Sequence, residues 1–267
     1  RPPPPPPRPP PFFFQAEDGL RYCLLCRGLG DVYKRQVMDG GADDDVLQLS
    51  TGAHTFADDN KLKNIEEVKT NSSGSEVVLT AQTEGLKITG GAGNDIITGN
   101  SAVNILNGGS GNDTIMAGTQ DDTIDGGDGE DNLTGGTGND TYLFDTNDVD
   151  GNESITENPG EGTDIIKLSS STDFSNMTVG SFDEVEVINL GNNRTGTFTG
   201  AQLTGETIDL QETGSGTSGI TVNMASGTTA TFTNMSASAF DSGSDTFTIE
   251  GNSGNENITG SNIATTN

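Results

Sequence analysis

The sequence predicts an all-β chain organised around a parallel β-roll, and three observations predict it. Six nonapeptides run head to tail from Gly90 to Leu143, reading GGAGNDIIT, GNSAVNILN, GGSGNDTIM, AGTQDDTID, GGDGEDNLT and GGTGNDTYL. Residue types sort by position within them: glycine at positions one, two and four, an acid at six, one large apolar residue at eight. Elsewhere short Val/Ile/Thr-rich runs alternate with Asn, Ser and Gly, and no helix-period pattern competes.

Each repeat position has a physical role. Gly90, Gly91 and Gly93, Gly108, Gly109 and Gly111, Gly126, Gly127 and Gly129, and Gly135, Gly136 and Gly138 fall where a chain turning sharply around an ion needs positive φ and close backbone approach. Position six is Asp95, Asp113, Asp122, Asp131 and Asp140, with Asn104 the exception. Position eight is Ile97, Leu106, Ile115, Ile124, Leu133 and Tyr142, one inward side chain per repeat flanked by polar residues, the alternation of a short strand. Two nonapeptides then make one coil, with a turn on each side.

A coil so thin does not hold itself together through its core. Burying one Ile or Leu contributes roughly 1.5 to 3 kcal/mol, whereas ordering each of nine backbones costs about 1 to 2 kcal/mol. Strand hydrogen bonds offset part of the deficit, and an ion supplies the rest. Carboxylates and turn carbonyls are hard oxygen ligands, suited to Ca²⁺ rather than zinc or copper, so metal binding becomes folding free energy.

The two sides of the coil differ. Turns starting at Gly90, Gly108 and Gly126 stack together and keep every glycine and aspartate, so Asp95, Asp113 and Asp131 form the expected strong side. Opposite them, the turn from Gly99 carries Val103 and Asn104, and the turn from Ala117 carries Gln120 in place of the third glycine. Partial occupancy is expected there, best between Asp122 and Asp140.

The template GGxGxDxUx, with U a large apolar residue, resembles the calcium-binding repeat of the RTX (repeats-in-toxin) family. That resemblance implies a β-roll (RTX solenoid) binding several Ca²⁺ ions, an extracellular location, secreted or at the cell surface, and export by type I secretion machinery. The passage GGTGNDTYLF…ITENPGEGTDII is similar to the way RTX blocks of secreted bacterial proteins terminate.

The flanks are read in order. Residues 1–36 share nothing with the rest: they hold Pro2–Pro7 and Pro9–Pro11, both cysteines (Cys23 and Cys26, a CxxC) and half of the basic residues. DVYKRQ back-translates to GAT GTG TAT AAG AGA CAG, which resembles a transposase-end sequencing adapter, and QAEDG resembles the opposite adapter. The segment is therefore expected to be non-native and disordered, and its CxxC is set aside as a redox or zinc motif. Residues 37–88 form a β-rich spacer with strand signals VLQL, EEVKT and EVVLTA and a decayed repeat at 40–48. The array proper is 89–145 and an acidic connector covers 146–163. A β-rich module, 164–248, carries DIIKLS, VEVINL, TGTFTG, GITVNM, ATFTNM and DTFTIE, and 249–267 begins a second array with Glu256 at position six and Ile258 at eight. GADDDVLQLS from Gly41 parallels GEGTDIIKLS from Gly160, so the chain is expected to be an internal fragment alternating β-modules with arrays.

Composition excludes several functions. With 40 acidic against 12 basic residues the formal charge is −28, and without 1–36 it is −31, which repels nucleic acid and anionic membrane. No run reaches the length of a transmembrane helix. Catalysis has no motif: His54, the single histidine, cannot build HExxH, GxSxG does not occur, and carboxylate pairs such as Asp121/Asp122 or Glu66/Glu67 read as solvated or calcium-facing. His54 reads as an ordinary loop residue. Three functions remain open: a structural or adhesive segment of a large secreted protein, with cell-surface glycans or other copies of itself as partners; the secretion and folding module of an RTX enzyme or toxin (protease, lipase, haemolysin) whose catalytic domain lies elsewhere; or a carbohydrate-binding β-module in 164–248. The alternation of spacers with arrays favours the first.

Overall fold

A computed structural model describes residues 22–24, 38–42, 44–49, 51–56, 58–59, 62–71, 73–149, 151–239, 245–252 and 256–259. Among these there is no helix, and every strand pairing is parallel. The chain winds as a β-solenoid, as the repeats predict.

One sheet of eleven strands runs its length, in the order Tyr22–Leu24, Val46–Gln48, Glu67–Lys69, Lys87–Ala92, Ile105–Ser110, Thr123–Asp128, Thr141–Phe144, Ile165–Leu168, Val187–Asn189, Asp209–Gln211 and Ser236–Ala239. A second sheet faces it through the array, from Ala53–Thr55 through Glu76–Val78, Ile96–Thr98, Thr114–Thr119 and Asn132–Thr137 to Ser154–Thr156. A third, made of Thr172–Asp173, Thr195–Thr199, Gly219–Asn223 and Thr246–Glu250, takes its place downstream.

Register shows how two nonapeptides close one coil. Leu106 pairs with Ile88 and Ile124, while Ile115 pairs with Ile97 and Leu133, so each side chain meets its equivalent in the next coil. All six position-eight residues are buried, and their neighbours alternate outward, Ile96 and Ile105 being about half exposed. Stacking identical apolar residues between two sheets is what a period-two pattern of this kind demands.

Glycine roles separate by position. Gly109 and Gly111, at positions two and four, have φ of 108° and 117°, a region that L side chains avoid. At position one the requirement is space: a Cβ on Gly108 would collide with Asp113 Oδ2 and with the Gly126 carbonyl of the next coil. Gln120 replaces a position-four glycine yet keeps φ at 78°, so that turn carries backbone strain of about 1–2 kcal/mol.

Downstream the coils lengthen and the core changes character. Phe174, Phe182 and Phe198 are fully buried, with Phe174 stacked on Phe198 at 4.8 Å and edge-on to Phe144 at 5.2 Å. Leu203, Leu210, Ile220, Val222 and Phe232 continue this packing. Every strand signal read from the sequence in 37–88 and 164–248 coincides with a parallel strand of the solenoid.

Three expectations meet a different outcome. His54 lies on a strand, not in a loop: its position in Ala53–Thr55 turns it inward beside Val77, and it is buried. In the adapter-like segment Tyr22–Leu24 pairs in parallel with Val46–Gln48, since a sheet edge offers unpaired backbone groups to any adjoining chain; the remaining expectation of disorder in 1–36 falls outside the described residues. Ile258, expected to face inward, is 43% exposed on Asn257–Thr259, whose in-register partner Ala230 is buried. The end of the second array, 260–267, also lies outside the described residues.

Candidate metal centre

Position six builds two ladders of carboxylates, one on each edge of the solenoid. On the first, the backbone N–H of Ser75 donates to Asp95 Oδ1 at 2.5 Å, that of Asp95 to Asp113 Oδ1 at 2.7 Å, that of Asp113 to Asp131 Oδ1 at 2.7 Å, and that of Asp131 to Glu153 Oε2 at 3.0 Å. On the second, Asn104 N–H donates to Asp122 Oδ1 at 2.6 Å, Asp122 to Asp140 Oδ1 at 2.7 Å, Asp140 to Asp164 Oδ1 at 2.8 Å, and Asp164 to Glu186 Oε2 at 2.7 Å. One oxygen of each acid thus fastens its coil to the preceding one.

The other oxygen is left over. Oδ2 of Asp95, Asp113, Asp122, Asp131 and Asp140, and Oε1 of Glu153, are buried without a hydrogen-bond partner. An orphaned buried carboxylate oxygen costs about 1–3 kcal/mol or more, and here it recurs at every position-six aspartate of the array. Beside it lies the space reserved by the position-one glycine, because a Cβ at Gly108, Gly126 or Gly135 would strike Oδ2 of Asp113, Asp131 or Asp140. A cradle of hard oxygen atoms, kept open by glycine, fits Ca²⁺.

Among the described residues no lysine or arginine pairs with these groups. Between Lys87 and Lys167 the sequence has sixteen acidic residues and no lysine or arginine. Ion pairs among the described residues lie upstream, where Glu67 contacts Lys69 and Lys87 at 2.9 Å each on the surface, a type worth little.

Burial raises the acids. Asp113 and Asp122 are pushed up to about 7, Asp131 and Asp164 to about 6, Glu157 to about 7 and Glu153 to about 9, by desolvation first and by neighbouring carboxylates second. Asp95 and Asp140 are raised by the same cause. A raised acid penalises the calcium-free fold increasingly as pH climbs from its unfolded value to its folded one, and below both values the penalty is gone. Protons would therefore compete with a calcium ion held by these oxygens. Between pH about 7.5 and about 5.5 the calcium midpoint should rise on the order of tenfold per titrating carboxylate. Calcium titrations at the two pH values check this, and coincident midpoints would count against it.

The edge expected to bind less well is built differently. Asn104 is fully buried, and its amide Nδ2 donates to Asn100 Oδ1 at 3.2 Å and to the Ala102 carbonyl at 2.7 Å, so an N–H₂ group points where the other turns present an oxygen. Asn100 Oδ1 also accepts from Ala102 N–H at 2.8 Å, which closes the turn internally. In the next coil Ala117 carries the Cβ that position one otherwise omits, and Gln120 is strained. Asp122 nevertheless retains an orphaned oxygen.

Sequence reasoning placed Asp95, Asp113, Asp131, Asp122 and Asp140 on the ladders but missed Glu153, Glu157 and Glu186. Asp164 was readable, since GEGTDII keeps the spacing of a repeat and Ile166 fills its apolar position. The glutamates had no signal, because the step along the ladder grows from 18 residues to 22 at Glu153 and Glu186, and Glu157 lies off the ladder.

A parallel solenoid whose turns stack orphaned carboxylates over glycine is a cation-binding β-roll, a type of fold that is non-catalytic. The family model described as the RTX calcium-binding nonapeptide repeat, in four copies, matches residues 87–115 and 107–142. This stretch belongs to the RTX repeat family, and Ca²⁺ is the ion its repeats bind. No curated protein and no solved structure matches the chain.

Proposed function

We propose that this chain is a calcium-dependent folding segment of a large extracellular protein, structural or adhesive in role, whose ions lie in the cradles of Asp95, Asp113 and Asp131 on one edge and of Asp122 and Asp140 on the other. The observation that carries it is the orphaned second oxygen repeated along both ladders, in a stretch with no cation of its own. Extracellular calcium modules bind at about 10⁻⁴ to 10⁻³ M. Cytoplasmic calcium leaves such an array unfolded and fit for export, and millimolar calcium outside folds it. The resemblance to secreted RTX proteins supports the type I route.

The structural role draws support from one sheet running through array and flanks alike, the framework of a rod. A carbohydrate-binding surface in 164–248 is favoured less, because among the described residues Phe174, Phe182, Phe198 and Phe232 are buried and Phe247 is partly buried edge-on against Phe232, which leaves little aromatic face to stack on sugars. No described helix is long and apolar enough to cross a membrane. Circular dichroism during a calcium titration tests the reading: strand signal should rise steeply with calcium, and a signal already complete in chelator would refute it.

A further inference from the structure

Where the array meets the connector, a third carboxylate joins the ladder. Asp140, Glu157 and Asp164 each offer an oxygen within 4.8 Å of the others. Asp140 and Asp164 are consecutive rungs, but Glu157 comes from Ser154–Thr156 and the turn after it, which no nonapeptide supplies. Asp140 is fully buried and its Oδ2 has no partner. That oxygen and Glu157 Oε1 converge on one point above Gly135, since a Cβ there would meet both.

Glu157 is held in this position by a built set of donors. The Tyr142 hydroxyl donates to its Oε1, the N–H of Gly135 donates to Oε1 at 3.2 Å, and the N–H of Gly136 donates to Oε2 at 3.3 Å. Gly135 N–H is shared with the Tyr142 oxygen at 2.6 Å. Tyr142 is itself a position-eight core residue, so the side chain that fills the last coil of the array also orients the extra carboxylate. In the two preceding turns of this edge the equivalent space is taken by the Asn104 amide and faces Ala117 in place of glycine. The Gly135 turn restores the open cradle and adds a third negative charge to it.

We infer that Glu157 and Asp164 join Asp140 at the last cradle of this edge to form a terminal calcium site of three carboxylates, which clasps the connector and the first downstream coil to the end of the array. A hard divalent cation is the ligand class, because every donor is an oxygen and three carboxylates more than offset its two charges; turn carbonyls or water would complete its six to eight ligands. The inference rests on the proposed calcium-dependent folding of the array, and the experiment separates the two.

Terbium(III) substitutes for calcium on oxygen ligands and emits on tyrosine excitation when a tyrosine ring is close. The full chain, titrated with terbium and counted for bound ions, should show tyrosine-sensitised emission. Tyr142→Phe, which keeps the buried ring but removes both the tyrosine sensitiser and the hydroxyl that orients Glu157, should lose most of that emission. Glu157→Gln should lower the count by one and reduce the emission. An unchanged count and emission in Glu157→Gln, or emission in Tyr142→Phe equal to the parent, would overturn the terminal site while leaving the array reading intact. Absence of any bound ion would overturn both.

Discussion

Asp113→Ala is expected to weaken calcium binding by more than about tenfold, while Asn104→Ala leaves the calcium midpoint nearly in place. Asp113 stands in the middle of the intact ladder: its Oδ1 accepts from Asp95 N–H, its own N–H donates to Asp131, and its Oδ2 is the orphan above Gly108. Truncation removes a ligand outright, and losing even a group that merely orients a ligand costs about 10–100-fold in metal affinity. It also strands the buried N–H of Asp95, a further cost of about 1–3 kcal/mol. Asn104 occupies the same rung on the other edge but spends its amide on Asn100 and Ala102. Removing it should lower stability by a comparable hydrogen-bond amount, in calcium and in chelator alike. Calcium titrations followed by circular dichroism and by ion counting separate the two effects. Equal midpoints for the two variants would show that the ladder's free oxygens do not hold the ion.

The contrast between these residues marks what sequence could reveal. Position eight was legible because Ile97, Leu106 and their equivalents recur at a fixed interval, and one buried side chain per nine residues leaves only a narrow coil to build. Aspartate at position six was legible for the same reason. Its division of labour was not, since Oδ1 bonds a backbone N–H eighteen residues away and nothing local encodes that pairing. Continuation of the solenoid through the flanks was hidden by coils of varying length. The first sheet steps by 24 residues from Thr141 to Ile165, by 22 to Val187 and again to Asp209, and by 27 to Ser236, so no period survives to be read. Strands such as Asp209–Gln211 and Ala53–Thr55 carry too few apolar residues to stand out alone. They are held by the edge of the preceding strand and not by their own composition.

Phe174→Ala should cost about 3–5 kcal/mol, and it should do so without calcium. The array and the downstream coils draw on different sources of stability. Array coils bury one Ile, Leu or Tyr per nonapeptide and stack carboxylates whose second oxygens are left for the proposed ions to neutralise. Downstream coils bury Phe174, Phe182 and Phe198 in mutual contact, with Leu203, Ile208, Leu210 and Val222 around them. Each aromatic pair adds about 0.5–1.5 kcal/mol beyond the area it buries. This core needs no cation, so in chelator the chain should keep a cooperatively folded downstream part while the array is unfolded. Phe174 is the hub of that part, touching Phe144, Phe182 and Phe198. Denaturant unfolding in chelator should therefore show one transition, and Phe174→Ala should shift it strongly to lower denaturant. The calcium midpoint of the array should move far less than in Asp113→Ala, although Phe144 links the two regions at Thr141–Phe144. A chelated chain with no cooperative transition, or one that Phe174→Ala leaves unmoved, would mean that the aromatic core folds only after the ions have bound.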